Sequence, residues 1–134
     1  MESKGRARAL QLLYAGETTG RGDAALQLPG LARLTGPEPM VMDFAEELAG
    51  GVIGDLANLD RQLQEATDNW RLERLGVVDR NLLRIAAFEL STGKVPPKVA
   101  IDEALWLAHR FGTPQSPAFI NGVLDRVART LGRL

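Results

Sequence analysis

Apolar residues recur every three or four positions along most of this 134-residue chain, which is the spacing of one face of an α-helix. The clearest case is a pair of apolar stripes near the C-terminus, separated by a short polar loop. The stripes are Ile101, Ala104, Leu105, Ala108 and Phe111, followed by Ile120, Val123, Leu124, Val127 and Leu131. Strand-like alternation does not stand out in any segment. The pattern therefore predicts an all-α fold.

Proline and glycine mark the ends of these two helices. Pro97 and Pro117 suit the first turn of a helix, where the N–H that proline lacks is not needed. Gly112 is a typical stop signal, and Ser116 belongs to the residue types that favour an N-cap. Because the loop at 113–115 is short, we expect the two helices to pack antiparallel.

The middle of the chain predicts two longer helical segments. Helical spacing of apolar residues predicts one continuous amphipathic helix over Met40–Ala66. Its three glycines, Gly50, Gly51 and Gly54, should each cost roughly 1 kcal/mol relative to alanine and would be tolerated where another helix approaches closely. The segment Val78–Leu90 is apolar around most of its circumference, which predicts the central helix of the bundle.

The remaining segments are shorter. Residues 24–34 can form a short helix, although a Pro-Gly pair weakens that prediction. The stretch Asn69–Gly76 is a polar connection, in which we interpret Trp70 as a core or hinge plug. Together the segments predict a single domain of about six or seven helices, arranged in two small subdomains, 1–66 and 70–134.

Basic residues fall into two groups. Lys4, Arg6 and Arg8 form a small N-terminal arm, which by itself is interpreted as a frayed terminus. Arg80 and Arg84 lie one helical turn apart and are interpreted as a solvated face with local ion pairs. Since the chain has 16 basic and 17 acidic residues, any nucleic-acid role needs a local basic cluster or a partner that supplies charge.

The composition excludes several classes of chemistry. The chain has no cysteine and one histidine, which we expect on an exposed or boundary face, so disulfides and cysteine- or histidine-rich metal sites are excluded. We find no dinucleotide fingerprint, phosphate loop or hydrolytic triad, and predict a non-enzymatic binding module without metal or cofactor. Without a secretory pattern or an apolar run long enough to span a membrane, the chain is expected in the cytoplasm.

The loop before the last helix leaves two interpretations open. Phe119 lies one helical turn beyond Gln115. A phenylalanine at this place can be a hydrophobic staple or core residue, which sequence physics alone favours. It can also be a stacking platform for an unpaired nucleic-acid base.

Several motifs resemble the NusB family of transcription antitermination factors. They match in order, most densely from Trp70 to Val127. The matching segments are WRLERLG at 70–76, VDR at 78–80, LRIAAFEL at 83–90, VPPKVAIDEA at 95–104, AHRFG at 108–112 and FINGVLD at 119–125. ALQLLY at 9–14 is similar to the family's first helix.

The resemblance implies a non-catalytic, NusB-like helical bundle that pairs with the ribosomal protein NusE and binds single-stranded boxA RNA. This complex would join the RNA polymerase antitermination complex, chiefly in ribosomal RNA operons. The positions that match the family's RNA surface are Lys4, Arg6, Tyr14, Asp79, Arg84, Gln115 and Phe119. Arg8 is added here from the charge pattern. The NusE surface is expected beside these residues, at Glu73, Arg74, Val78 and Leu82.

One departure from the family pattern concerns the N-terminal arm. Family members often carry an arginine run where this chain has Glu2-Ser3-Lys4-Gly5-Arg6, so we expect weaker RNA binding and a shallower salt dependence without NusE. We predict that Phe119→Ala and Arg6→Ala each weaken boxA binding while helicity and melting stay unchanged.

Three alternatives remain beside this expectation. The chain could be a protein-interaction scaffold with little RNA binding, or its helical faces could pair two copies as a homodimer. Related helical domains also position RNA for ribosomal RNA cytosine methyltransferases. Because the sequence ends at Leu134, a free-standing factor is preferred.

Overall fold

The computed structural model describes residues 2–17 and 38–134, and within these two ranges every regular element is a helix. The all-α prediction is confirmed. The α-helices are α1 (Glu2–Glu17), α2 (Pro39–Gly54), α3 (Leu56–Glu65), α4 (Val77–Thr92), α5 (Pro97–Phe111) and α6 (Ser116–Thr130), with a 3-10 helix at Leu72–Arg74. The short helix predicted at 24–34 lies outside the described residues. Among the helices described, none is long and apolar enough to cross a membrane.

The central position predicted for Val78–Leu90 is confirmed, since α4 packs against each of the other five α-helices that the structure describes. Its buried apolar residues are Leu82, Leu83, Ile85, Ala86, Ala87 and Leu90. The helix ends at Gly93, whose φ of 72° places it in the left-handed region that favours glycine. The other helices are thereby arranged around one apolar axis.

The prediction of one continuous helix over Met40–Ala66 is wrong, because the chain breaks at Asp55. This residue has φ −122° and ψ 20°, and its N–H donates to the carbonyl of Val52 at 3.2 Å. Apolar spacing continues across the break, so Val52 of α2 and Leu59 of α3 both reach the core. Periodicity counts residues along the chain and does not record a change in the direction of the helix axis.

Close helix packing explains one of the three glycines in this segment. A Cβ built on Gly51 would lie 2.3 Å from Cζ of Phe88, so α2 approaches α4 too closely there for a larger residue. For Gly50 and Gly54, no described atom outside the adjacent residues and the backbone of the same helix lies within 4 Å of such a Cβ. The predicted close approach is confirmed at Gly51 alone.

The boundaries of α5 and α6 follow the predicted proline and glycine signals. Pro97 and Pro117 lie in the first turns of the two helices, which pack against each other. A Cβ on Gly112 would lie 2.6 Å from Oγ of Ser116, so the tight turn requires glycine. Ser116 is the first residue of α6, and its Oγ accepts a hydrogen bond from the N–H of Thr113 at 2.9 Å. The hydroxyl therefore holds the loop, rather than capping the helix as predicted.

Candidate nucleic-acid interface

A groove joins the end of α1, the start of α4 and the loop after α5. It has a volume of about 340 Å³, and its lining includes Tyr14, Val78, Asp79 and Thr113. Tyr14 and Asp79 were predicted for RNA binding, whereas Val78 was predicted for a protein partner. The fold thus brings residues from both predicted surfaces together on one concave face.

The loop 113–115 leads from this groove to an aromatic pair. Gln115 is exposed at the start of α6, and Phe119 lies one turn further along the helix. Phe119 is partly buried against the core, while its ring meets Trp70 edge-to-face with ring centroids 6.2 Å apart. The Phe119 ring therefore packs against the core and also contacts an exposed tryptophan. These contacts agree with a core residue and with a stacking platform alike.

Trp70 is 58% exposed, and its interpretation as a core or hinge plug is wrong. The backbone, rather than the indole, anchors this loop. The Trp70 carbonyl accepts hydrogen bonds from Nε2 of Gln64 at 2.8 Å and from the Thr67 hydroxyl at 3.1 Å. Its polar neighbours Asn69 and Arg71 were the sequence signal that could have indicated an exposed indole.

The basic arm is helical from Glu2 onward, so its interpretation as a frayed terminus is wrong. Its three cations have different surroundings. Lys4 is exposed and pairs with Glu38 at 3.3 Å, whereas Arg8 is half-buried and donates to Gln11. Among these three cations, Lys4 offers the ammonium that a phosphate could reach most easily.

Arg6 is 2% exposed and joins three helices. Its Nε and Nη2 donate to the two carboxylate oxygens of Glu89 at 2.8 and 2.7 Å, and Nη1 donates to Glu103 at 2.9 Å. Burial lowers the pKa of Arg6, but the hydrogen bonds and charges of these carboxylates outweigh it and hold the pKa above its ordinary value. This placement leaves the guanidinium no accessible surface for the direct phosphate contact predicted for it.

Arg80 and Arg84 form ion pairs with distant residues, which corrects the prediction of a solvated face with local pairs. Arg84 donates from Nε and Nη2 to Asp60 of α3 at 2.8 and 2.9 Å. Both arginines donate to Glu17, the last residue of α1. Burial raises the pKa of Glu17, yet the hydrogen bonds from the two arginines outweigh it and hold the pKa below its ordinary value. The cluster fixes α1 and α3 to α4.

The residues predicted for the partner surface divide by exposure. Glu73 and Arg74 are exposed in the 3-10 helix, and Val78 is half-buried at the start of α4. Leu82 is 1% exposed and belongs to the core, so its side chain is not available to a partner. Glu73, Arg74 and Val78 therefore form an accessible patch beside the groove.

His109 is exposed, as predicted, and the described residues contain no group of three or more histidine, cysteine, aspartate or glutamate side chains placed to hold a metal ion. This face presents the rings of Tyr14, Trp70 and Phe119 and the amide of Gln115. Such groups stack on unpaired bases and contact phosphates.

Comparison with known proteins gives a consistent result. The model of the NusB family matches residues 3–129. The transcription antitermination protein NusB of Sorangium cellulosum is 46% identical over 98% of this chain and 94% of its own length. That of Salinibacter ruber is 40% identical over 96% of this chain and 83% of its own.

Two solved structures share the fold. NusB of T. maritima has a TM-score of 0.80 at 31% identity, with 96% of this chain and 91% of that chain covered. A protein chain in the crystal structure of a plectonemic RNA supercoil has a TM-score of 0.79 over 96% of this chain and 94% of its own. The latter is 21% identical and shows the fold alone.

Proposed function

Since the chain belongs to the NusB family and is therefore a transcription antitermination factor, we propose that it acts by binding boxA-type single-stranded RNA together with ribosomal protein NusE. NusB proteins form a non-catalytic family of transcription factors. In this proposal the complex joins RNA polymerase in the bacterial cytoplasm and helps it transcribe ribosomal RNA operons.

The observation that carries the proposal is the groove shared by Tyr14, Val78 and Asp79. Tyr14 offers a ring and a hydroxyl, and Asp79 offers an acceptor for the amino groups of a base. Phe119 and Trp70 add an aromatic surface at the other end of the adjoining loop. Single-stranded RNA is recognised by this combination of stacking and hydrogen bonds to splayed bases.

The charge distribution supports a role for NusE as the basic partner. The chain has a formal net charge of −1, and much of its arginine charge in the arm and in α4 is paired with carboxylates. Affinity for RNA depends strongly on cations that can reach phosphates. A partner bound at Glu73, Arg74 and Val78 would bring its own cations to RNA in the adjoining groove, so the two binding events would favour each other.

The test is fluorescence anisotropy with a labelled boxA oligonucleotide and a scrambled control, each with and without NusE. We expect tighter binding to boxA than to the scrambled RNA, and further tightening of boxA binding when NusE is present. Binding of NusE without RNA discrimination would favour the scaffold. If the protein binds neither NusE nor boxA RNA, the proposal is contradicted.

A matched pair of variants tests the aromatic surface. Phe119→Leu keeps an apolar side chain against the core and removes the ring, so boxA affinity should fall about tenfold, as expected for the loss of one base stack. Phe88→Leu makes the same change between α2 and α4, and boxA affinity should stay within about twofold of wild type. Equal affinities for the two variants would contradict the assignment of Phe119 to the RNA surface.

The scaffold remains the second candidate because of one observation, the burial of Arg6. It removes a predicted phosphate contact from an arm that already has few cations. The anisotropy measurement above separates the two candidates.

A further inference from the structure

Two arginines of α4 converge on one carboxylate at the end of α1. Arg80 donates from Nη2 to Oε2 of Glu17 at 2.6 Å and from Nε to Oε1 at 3.3 Å. Arg84 donates from Nη1 to Oε1 of Glu17 at 2.5 Å. Guanidinium groups that converge on one anion are the arrangement by which proteins hold phosphate groups. The Glu17 carboxylate is thus held by the kind of donors that also hold phosphates.

Both guanidinium groups are also held by groups other than Glu17. Asp60 accepts two hydrogen bonds from Arg84 at 2.8 and 2.9 Å. The carbonyl of Leu75 accepts one from Nη1 of Arg80 at 3.0 Å. These contacts would keep the arginines in position if the Glu17 carboxylate left, so the anion site is preorganised.

The surroundings have room for a larger anion. Glu17, Arg80 and Arg84 line a groove of about 570 Å³ that continues along α3 to the 3-10 helix, where Glu73 belongs to the predicted partner surface. RNA backbone that lay in this groove would adjoin that surface. The family resemblance implies an RNA contact for Arg84 and none for Arg80 or Glu17.

We propose that Arg80 and Arg84 form a binding site for a phosphodiester of the RNA backbone, and that Glu17 occupies this site in the free protein. The proposal rests on the proposed function and identifies two further residues that set RNA affinity. RNA binding requires exchange of the Glu17 carboxylate for a phosphate. Glu17 therefore lowers the affinity of the free protein for RNA, without contributing sequence preference.

The decisive variant is Glu17→Gln, which keeps an acceptor oxygen and removes the competing charge. Because charge-assisted hydrogen bonds are about twice as strong as neutral ones, we expect binding about tenfold tighter to boxA and scrambled RNA alike. Asp125→Asn is the matched control, since it removes one negative charge from an ion pair with the exposed Arg129 on α6, and neither residue lines this groove. Its affinity should stay close to that of wild type.

A second substitution tests whether the gain in RNA affinity of Glu17→Gln depends on Arg80. Adding Arg80→Gln to Glu17→Gln should abolish the tenfold gain, whereas adding Arg129→Gln, which removes an exposed arginine of α6, should leave most of it. The proposal is overturned if Glu17→Gln binds RNA no better than Asp125→Asn. It is equally overturned if the gain persists without Arg80.

A measurement on the wild-type protein covers the case in which Glu17→Gln does not fold. The NMR resonances of the Nε–H groups of Arg80 and Arg84 should shift when RNA is added, and that of Arg129 should stay in place. Unchanged Arg80 and Arg84 resonances at saturating RNA would overturn the site.

This design separates the site from the proposed function. If wild type with NusE does not prefer boxA over the scrambled RNA, the proposed function fails. The phosphate site is then judged on the scrambled RNA alone, where a gain in affinity of Glu17→Gln over Asp125→Asn supports it and no gain overturns it.

Discussion

Arg6 shows at the residue scale how burial changes the role of a charge. Its guanidinium lies between Glu89 of α4 and Glu103 of α5, and Glu103 also accepts a hydrogen bond from the Ser3 hydroxyl at 2.6 Å. The guanidinium of an arginine at an exposed terminus can contact a phosphate, whereas that of Arg6 is already paired with two carboxylates. Lys4, two residues earlier, keeps the exposed position that an RNA contact requires.

We predict that Arg6→Met destabilises the fold by about 3–5 kcal/mol, because it leaves the Glu89 carboxylate buried without its cation. This replaces the prediction that removal of Arg6 leaves melting unchanged. Lys4→Met is the control, since it breaks an exposed pair and should change stability by less than about 1 kcal/mol. Urea unfolding followed by circular dichroism measures both. Equal stabilities would show that the buried pair contributes nothing.

At the element scale, pairs of helices are fixed by a few specific contacts. The approach of α2 to α4 depends on Gly51, against which the ring of Phe88 packs. The end of α1 is fixed to α4 by Glu17 and its two arginines. The contact between Gly51 and Phe88 depends on shape, so it responds to substitution of the glycine. The contact between Glu17 and its arginines depends on charge, so it responds to pH.

Two glycine substitutions in neighbouring positions test the shape contact. Gly51→Ala should destabilise the protein by about 1–3 kcal/mol, because its Cβ forces the Phe88 ring or α2 to move. Gly50→Ala adds the same methyl group where no described atom outside the adjacent residues and the backbone of α2 lies within 4 Å, and it should stabilise the protein by up to about 1 kcal/mol through helix propensity. Thermal melts of both variants and of wild type measure these two changes in stability. A stabilising Gly51→Ala would mean that α2 and α4 are further apart.

Acid titration tests the charge contact. Because the pKa of Glu17 is lower in the folded protein than in the unfolded chain, its contribution to stability is complete above the ordinary value of about 4.5. That contribution is lost as the pH falls through the lowered pKa. Between pH 5 and about pH 3, wild type should therefore lose more unfolding free energy than Glu17→Gln, measured in urea. Parallel losses in the two proteins would contradict the ion pair.

At the scale of the whole molecule, the proposed subdomains 1–66 and 70–134 contribute to one core. Leu10 and Leu63 from the first and Leu83 and Leu124 from the second belong to the same cluster of buried residues. α4 is in contact with helices of both. The two groups share their apolar surface, so neither can lose its packing without exposing that of the other.

A single cooperative unfolding transition is therefore expected. Urea unfolding followed by tryptophan fluorescence, which reports Trp70 and Trp106 in the second subdomain, should coincide with unfolding followed by circular dichroism, which reports all helices. Two separated transitions would show that the subdomains unfold independently.

Patterning along the chain alone predicted the all-α class, the central helix, both ends of α5 and the start of α6. Helical hydrogen bonds join residues four apart, and proline and glycine act on their own backbone, so Pro97 and Gly112 indicate boundaries without knowledge of the fold. The apolar circumference of α4 likewise predicted its central place. Family motifs added Tyr14 and Asp79, which the fold brings to one groove.

Tertiary contacts, in contrast, determine which arginines can reach a phosphate and which aromatic residues are exposed. Arg6 meets a carboxylate 83 residues away, and Arg84 meets one 67 residues away, so periodicity along α1 or α4 could not reveal either pair. The exposure of Trp70 and the break at Asp55 depend on how helices meet in space. Local pattern fixes backbone conformation, whereas burial and ion pairing depend on residues that only folding brings together.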